Sequence, residues 1–355
     1  MDKQINRYGI TSSIKGLKIV FMKLFIFMIA IIGYYTISCK PDYLDIPIVT
    51  KTIGSNIRIE YMYFKTNDTM LVCGGIKNEK GEIYKSTDGG INWSKVFACP
   101  DKINALYFFK NQKEGLAVGD STRVQKTFDG GSSWTKKFSG SEDLRLWRND
   151  QSSITRVCSW DNIGSIAICN ENHESGNCFF SWDVGESWSD IQGSNGLRDW
   201  WIFHDDSIYA VGYGIIEKIE YPHQQGYMGY KPIVTPMSFD GDYFTGIWFT
   251  SDNVGYMSGF DGGIYKTTDA GKSWKTVFKK NKLFQERIHF NDILFVSDKI
   301  GYVVGEDGLC MKTVDEGNTW NHIKMPTSNA LLGLFYNNGT VYICSEQGTY
   351  YEIKN

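Results

Sequence analysis

An eight-residue pattern, Ser/Thr-x-Asp-x-Gly-x-x-Trp, occurs five times along this chain and constrains its fold more than any other feature. Its fixed positions are Ser86, Asp88, Gly90 and Trp93, then Thr127, Asp129, Gly131 and Trp134. They return as Ser181, Asp183, Gly185 and Trp188, as Thr267, Asp269, Gly271 and Trp274, and as Thr313, Asp315, Gly317 and Trp320. Recurrence at this spacing means a repeat architecture, in which each unit buries its apolar face only against its neighbours. The aspartates are 41, 54, 86 and 46 residues apart. The gap of 86 spans two units, so one unit lacks the pattern. Where the box is due, that unit reads Tyr221-Pro222-His223-Gln224-Gln225-Gly226-Tyr227.

Strand-like runs flank each box, as in Gly263-Ile264-Tyr265-Lys266 before one and Trp274-Lys275-Thr276-Val277-Phe278 after it. The box is therefore a hairpin turn. Asp accepts the N–H groups of its own turn, and Ser or Thr does so more weakly. Gly takes a positive-φ position that a β-carbon disfavours. Trp opens the next strand and lays its ring on the hairpin. Every position has a structural task, so the box residues read as fold residues and not as catalysts.

The box resembles the Asp-box, or bacterial neuraminidase repeat, of β-propellers. The longer run Gly255 to Trp274 resembles the repeats of photosystem-II stability/assembly-factor-like proteins found in non-photosynthetic bacteria. The resemblance covers residues 43–353 and implies a propeller with protein partners. The strand pattern predicts an all-β, seven-bladed β-propeller of four-stranded antiparallel blades, with first strands beginning near 56, 102, 153, 198, 243, 288 and 329. The last blade lacks its own fourth strand. The segment Tyr43-Leu44-Asp45-Ile46-Pro47-Ile48-Val49 is expected to supply it and close the ring, protecting a sheet edge.

Residues 22–39 combine a basic start, an apolar run from Leu24 to Ser38 and a cysteine. The run is shorter than the ~20 residues of a membrane span and suits an exported leader. Thr36-Ile37-Ser38-Cys39 resembles a lipobox, which makes Cys39 the expected lipidation site and Met22 a candidate true start. The expected division is a leader over 1–39 and one propeller domain over 40–355. The propeller is then exported and lipid-anchored to the bacterial cell envelope.

Of 37 basic and 40 acidic side chains, five and one fall within residues 1–39, leaving 32 and 39 in the propeller. This acidic balance, with no basic stripe, speaks against nucleic acid. Five scattered histidines and seven cysteines beyond Cys39, none in Cys-x-x-Cys spacing, predict no metal site and no cofactor.

With the first strand lining the channel, the boxes share one face with the turns between first and second strands. The expected ligand face is the opposite one. Arg145, Trp147 and Arg148 lie there in the longest link, and Asp261, Glu306 and Asp307 lie in turns between second and third strands. The reading is a non-catalytic scaffold for a protein or glycan ligand. The alternative is a sialidase-like or other glycoside hydrolase. That reading needs an arginine triad or a carboxylate pair, and among so many acidic residues the sequence does not select one.

Overall fold

The computed structural model describes residues 43–121, 124–138, 153–159, 166–172, 175–181, 184–185, 189–192, 196–203, 208–219, 233–235, 243–279 and 288–355. The expected leader over 1–39, with Met22 and Cys39, lies outside these residues, as do Arg145, Trp147, Arg148, Asp183 and Trp188. The chain divides into two compact units, Met1–Tyr43 and Leu44–Asn355.

The second unit is an all-β propeller of antiparallel sheets. The innermost strands are Arg58–Phe64, Ile103–Phe108, Ser153–Ser159, Leu197–Ile202, Phe244–Phe249, Phe290–Phe295 and Leu331–Asn337. Successive inner strands pack side by side, and Leu331–Asn337 packs against Arg58–Phe64 to complete the ring. The second strands, such as Gly115–Gly119, Gly255–Gly259 and Gly301–Gly305, are buried throughout. They are covered on both faces by neighbouring sheets, so their sequences are apolar without alternation. Outer strands such as Ser94–Cys99 and Lys275–Lys279 are exposed at half or more of their positions and buried at none. The core lies between sheets: Leu294, Tyr302 and Val304 of one pack with Leu331, Ile343 and Tyr351 of the next.

The expectation of seven four-stranded blades is corrected. Six blades are four-stranded, and the sheet built on Phe290–Phe295 holds five strands, the fifth being Tyr43–Leu44 beside Asn321–Ile323. The closing segment is also split. Residues 43–49 do not form one strand on the last blade. Val49–Thr52 pairs with Thr349–Lys354, matching Val49 to Glu352 and Thr52 to Thr349. Between the two short strands, Ile46 and Ile48 pack onto the core shared by the last two sheets, and Pro47 sits in the link. Proline supplies no N–H for a ladder, which suits a link better than a strand.

The boxes join neighbouring blades. In the four boxes whose Asp is described, the Ser or Thr hydroxyl donates to the Asp Oδ1 and accepts the Gly N–H, as Thr267 does with Asp269 at 2.8 Å and Gly271 at 2.9 Å. Asp Oδ1 accepts the N–H of the residue before Trp, and Oδ2 accepts that residue's side chain: Ser273 Oγ donates to Asp269 at 2.6 Å. This second polar position, Asn92, Ser133, Ser273 or Thr319, escaped the sequence reading. Two successive residues are left-handed in every box, as with Ala270 and Gly271 at φ 59° and 77°. The first faces open space at Gly89, so side chains are admitted there in other boxes. The second is Gly for a further reason: a Cβ on Gly271 would stand 2.6 Å from Tyr209 of the preceding blade. Tyr209 in turn donates its hydroxyl to the Ala270 carbonyl at 2.7 Å, and Tyr256 does the same to Glu316 at 2.8 Å.

Candidate functional site

Every inner strand shifts register once against its second strand, at the same relative position. Such a bulge sets two residues against one and re-aims a side chain. The residues just past the bulge are Tyr61, Ala105, Arg156, Asp199, Gly246, Asp292 and Gly333. The repeat thus brings one residue per inner strand to one level of the ring. Three of these are charged.

Their partners are specific. Arg156 Nε donates to Asp199 Oδ1 at 3.0 Å. The other Asp199 oxygen accepts the Ile247 N–H at 3.0 Å. Asp292 Oδ1 accepts the Ile293 N–H and its Oδ2 the Leu334 N–H, each at 2.8 Å. Ile247 and Leu334 each follow the bulge glycine of the next inner strand. At Gly246 a Cβ would lie 3.1 Å from Oδ1 of Asp292 on the following inner strand, so glycine at this one position leaves room for that carboxylate. Both aspartates are nearly buried, at 8% and 9% exposure. Burial pushes the Asp292 carboxyl up to about 7, the Asp199 charge adds to this, and Arg156 and the two amides oppose it. The Arg156 guanidinium is held above its ordinary value by Asp199 and Asp292 against the cost of burial.

The charged girdle floors a cavity of about 330 Å³. Its walls are aromatic: Tyr61, Trp200, Trp201, Trp248, Phe335 and Tyr336. Trp201 and Trp248 have ring centroids 4.9 Å apart, and Tyr61 meets Phe335 edge-on at 4.9 Å. Trp201 and Tyr336 are next to the last paired residues of their inner strands, Ile202 and Asn337. The cavity therefore extends toward the turns that join first to second strands. Box turns bond those turns: Gly89 N–H to Asp68, Gly130 to Lys113, Ala270 to Asn253 and Glu316 to Lys299. The cavity and the boxes share one end of the ring.

Of the residues expected at the ligand face, the described ones, Asp261, Glu306 and Asp307, do not line this cavity. Asp261 and Asp307 are exposed in turns between second and third strands, and Glu306 accepts Asn291 Nδ2 at 2.9 Å. The cavity residues were missed because a bulge is a pairing irregularity with no composition of its own. A signal did exist. Aligning the seven first strands stacks Ile154-Thr155-Arg156-Val157, Leu197-Arg198-Asp199-Trp200 and Phe290-Asn291-Asp292-Ile293, each with an apolar first and last residue and a charge at the third position. Among the described residues no group of histidine, cysteine or carboxylate side chains is placed to hold a metal ion. Nor is any described helix long and apolar enough to cross a membrane.

Residues 234–352 match a family model described as photosynthesis system II assembly factor YCF48. The match covers less than half of the chain. No curated protein matches it. The fold is shared with solved structures. YCF48 bound to a D1 peptide superposes with a TM-score of 0.67 at 19% identity, covering 89% of this chain and 98% of that one. YCF48 from Cyanidioschyzon merolae gives 0.64 at 13% identity, with 86% and 98% covered. The WD40 β-propeller domain of Doa1 gives 0.64 at 12% identity, with 89% and 98% covered. At these identities the likeness shows the propeller fold alone, and the family match places a YCF48-like repeat within residues 234–352.

Proposed function

We propose that this protein is a non-catalytic β-propeller scaffold that holds a polypeptide partner at the cavity end of the ring. The observation that carries the reading is a preformed, aromatic-walled cavity whose charged groups are already fixed by main-chain bonds. Half-buried Trp200, Trp201, Trp248 and Phe335, beside exposed Tyr336, are side chains of the kind that anchor protein interfaces. The YCF48-like repeat supports the same reading, as does the similar propeller whose structure holds a peptide.

A glycoside hydrolase is disfavoured by the same bonds. Asp199 has both oxygens engaged by Arg156 and Ile247, so among the described residues lining the cavity no second free carboxylate stands beside Asp292 to complete a catalytic pair. A sialidase-type site needs several arginines around the ligand. Among the described residues only Arg156 lines the cavity.

Export and lipid attachment at Cys39 belong to this proposal and rest on the leader-like run that ends at that residue. The test has two parts. The full-length chain is offered immobilised peptides and glycans, and peptide capture without sugar turnover is expected. Cells are also fed a fatty-acid analogue. Label on the wild type and none on Cys39→Ala is expected, and equal label on both would remove the anchor. Retention or cleavage of a sugar, with no peptide captured, would replace the scaffold reading with a glycan-directed one.

A further inference from the structure

The floor of the cavity carries one positive and two negative groups. Arg156 and Asp199 neutralise each other at 3.0 Å. Among the described residues, Asp292 has no basic partner of its own at hydrogen-bond distance. Its two bonds are main-chain amides, one to each oxygen, and an ionised carboxylate offers about four lone-pair sites. When ionised, it leaves one uncompensated negative charge at the base of the cavity, with lone pairs to spare.

The walls give an independent indication of the ligand. Six aromatic rings surround this floor, three of them indoles. An aromatic face carries negative quadrupole potential, and a cation held within ~6 Å of it is attracted, most strongly by indole. An anion would meet the same faces and an excess carboxylate, and both repel it. A neutral apolar group would fit the walls but strand the Asp292 charge away from water. The ligand that satisfies both parts is an organic cation with an apolar stem.

On this ground, and resting on the scaffold reading, we infer that the cavity takes a lysine or arginine side chain of the partner polypeptide. Its stem runs alongside the Trp201–Trp248 pair and Tyr336, and its charged head reaches Asp292. The volume of about 330 Å³ admits one such side chain. Asp292 is fixed by the Leu334 and Ile293 amides, so the acceptor is oriented before the ligand arrives, which limits the entropy lost on binding. Arg156 keeps Asp199 occupied and leaves Asp292 as the acceptor for the incoming charge.

The test titrates the full-length chain with N-acetyl-lysinamide, N-acetyl-argininamide and the uncharged N-acetyl-norleucinamide, following tryptophan fluorescence. The two cations are expected to bind and the norleucine compound to bind at least tenfold more weakly. Asp292→Asn should lose at least tenfold in cation affinity. Tyr336→Ser, at an exposed wall position, should lose a few-fold with an unchanged melting temperature, which keeps the test informative should Asp292→Asn fold poorly. Equal binding of norleucinamide, or cation binding unchanged in both variants, would overturn the proposal. A peptide array on the same protein separates the two readings. Peptides captured regardless of lysine or arginine content would preserve the scaffold and overturn the cavity assignment. Cations bound with no peptide captured would keep the cation site and remove the scaffold.

Discussion

The Asp292 carboxylate accepts the main-chain N–H of Leu334, 2.8 Å away on the next inner strand of the ring. The bond spans two blades at the bulge, where the ladder within each sheet is interrupted. Asp199 repeats it with Ile247 at 3.0 Å. Two of the cavity's charged residues therefore also tie blades together.

Replacing Asp292 by alanine leaves the amides of Ile293 and Leu334 without acceptors. A buried unpaired N–H costs ~1–3 kcal/mol. Asp292→Ala should destabilise by that amount or more. Asp292→Asn retains one acceptor oxygen and should cost less. Urea unfolding of the two variants measures the difference, and equal losses would mean that the main-chain bonds do not stabilise the ring.

Asp292 also sets a pH dependence. Its carboxyl is raised to about 7 in the folded chain by burial and by Asp199, against the pull of Arg156. Unfolded, it titrates near ~4. Between these values the folded state holds the extra proton, so this group's contribution to stability falls as pH rises from about 4 to about 7. The box aspartates act in the opposite direction. Hydrogen bonds from Asn92 and from Ser273 hold Asp88 and Asp269 down at about 2, so their contribution is present above about 4 and is lost as pH falls toward 2. Unfolding measured from pH 4 to 8 should show a decline that Asp292→Asn removes.

The box glycines should tolerate substitution unequally. Gly271→Ala puts a Cβ 2.6 Å from Tyr209 in a left-handed residue, and overpacking of this kind costs ~1–3 kcal/mol before backbone strain is added. Gly89→Asn places its side chain in open space at a φ that asparagine accepts, and should be close to neutral. Melting temperatures of the pair decide whether contact with the preceding blade, or φ alone, requires the second glycine.

The box tryptophans are likewise unequal. Trp274 and Trp320 are 8% exposed, meet Phe249 and Phe295 edge-on, and donate Nε1 to Gly271 and Gly317 at 3.2 Å. Trp93 is only half buried, and its Nε1 has no acceptor among the described residues. Trp274→Ala should cost ~3–5 kcal/mol and Trp93→Ala clearly less. Denaturant midpoints of the two variants give the ranking directly.

Ring closure is testable by truncation. Removing residues 1–48 leaves Val49–Thr52 on Thr349–Lys354 but takes Leu44, Ile46 and Ile48 from the core of the last two sheets. Removing residues 1–52 also bares the edge of Thr349–Lys354, and an open edge invites intermolecular pairing. The shorter chain should aggregate on size exclusion where the longer one only melts earlier. Equal behaviour would mean that residues 49–52 do not guard the edge.

The repeat, the hairpin at each box and the all-β class are legible in the order of residues alone. They follow from local chemistry: an Asp that binds its own turn, a Gly that admits positive φ and a Trp three residues on. The same spacing locates the missing box between Asp183 and Asp269. Features that depend on pairing between distant segments are not legible in this way. The split of residues 43–52 into two short strands on different sheets is one case. Both stretches look strand-like alone, and only the positions of Asn321–Ile323 and Thr349–Lys354 select their partners. The cavity is the other. Arg156, Asp199 and Asp292 are 43 and 93 residues apart in sequence and share no motif. A bulge repeated in each inner strand brings them to one level, in a cavity lined by six aromatic side chains.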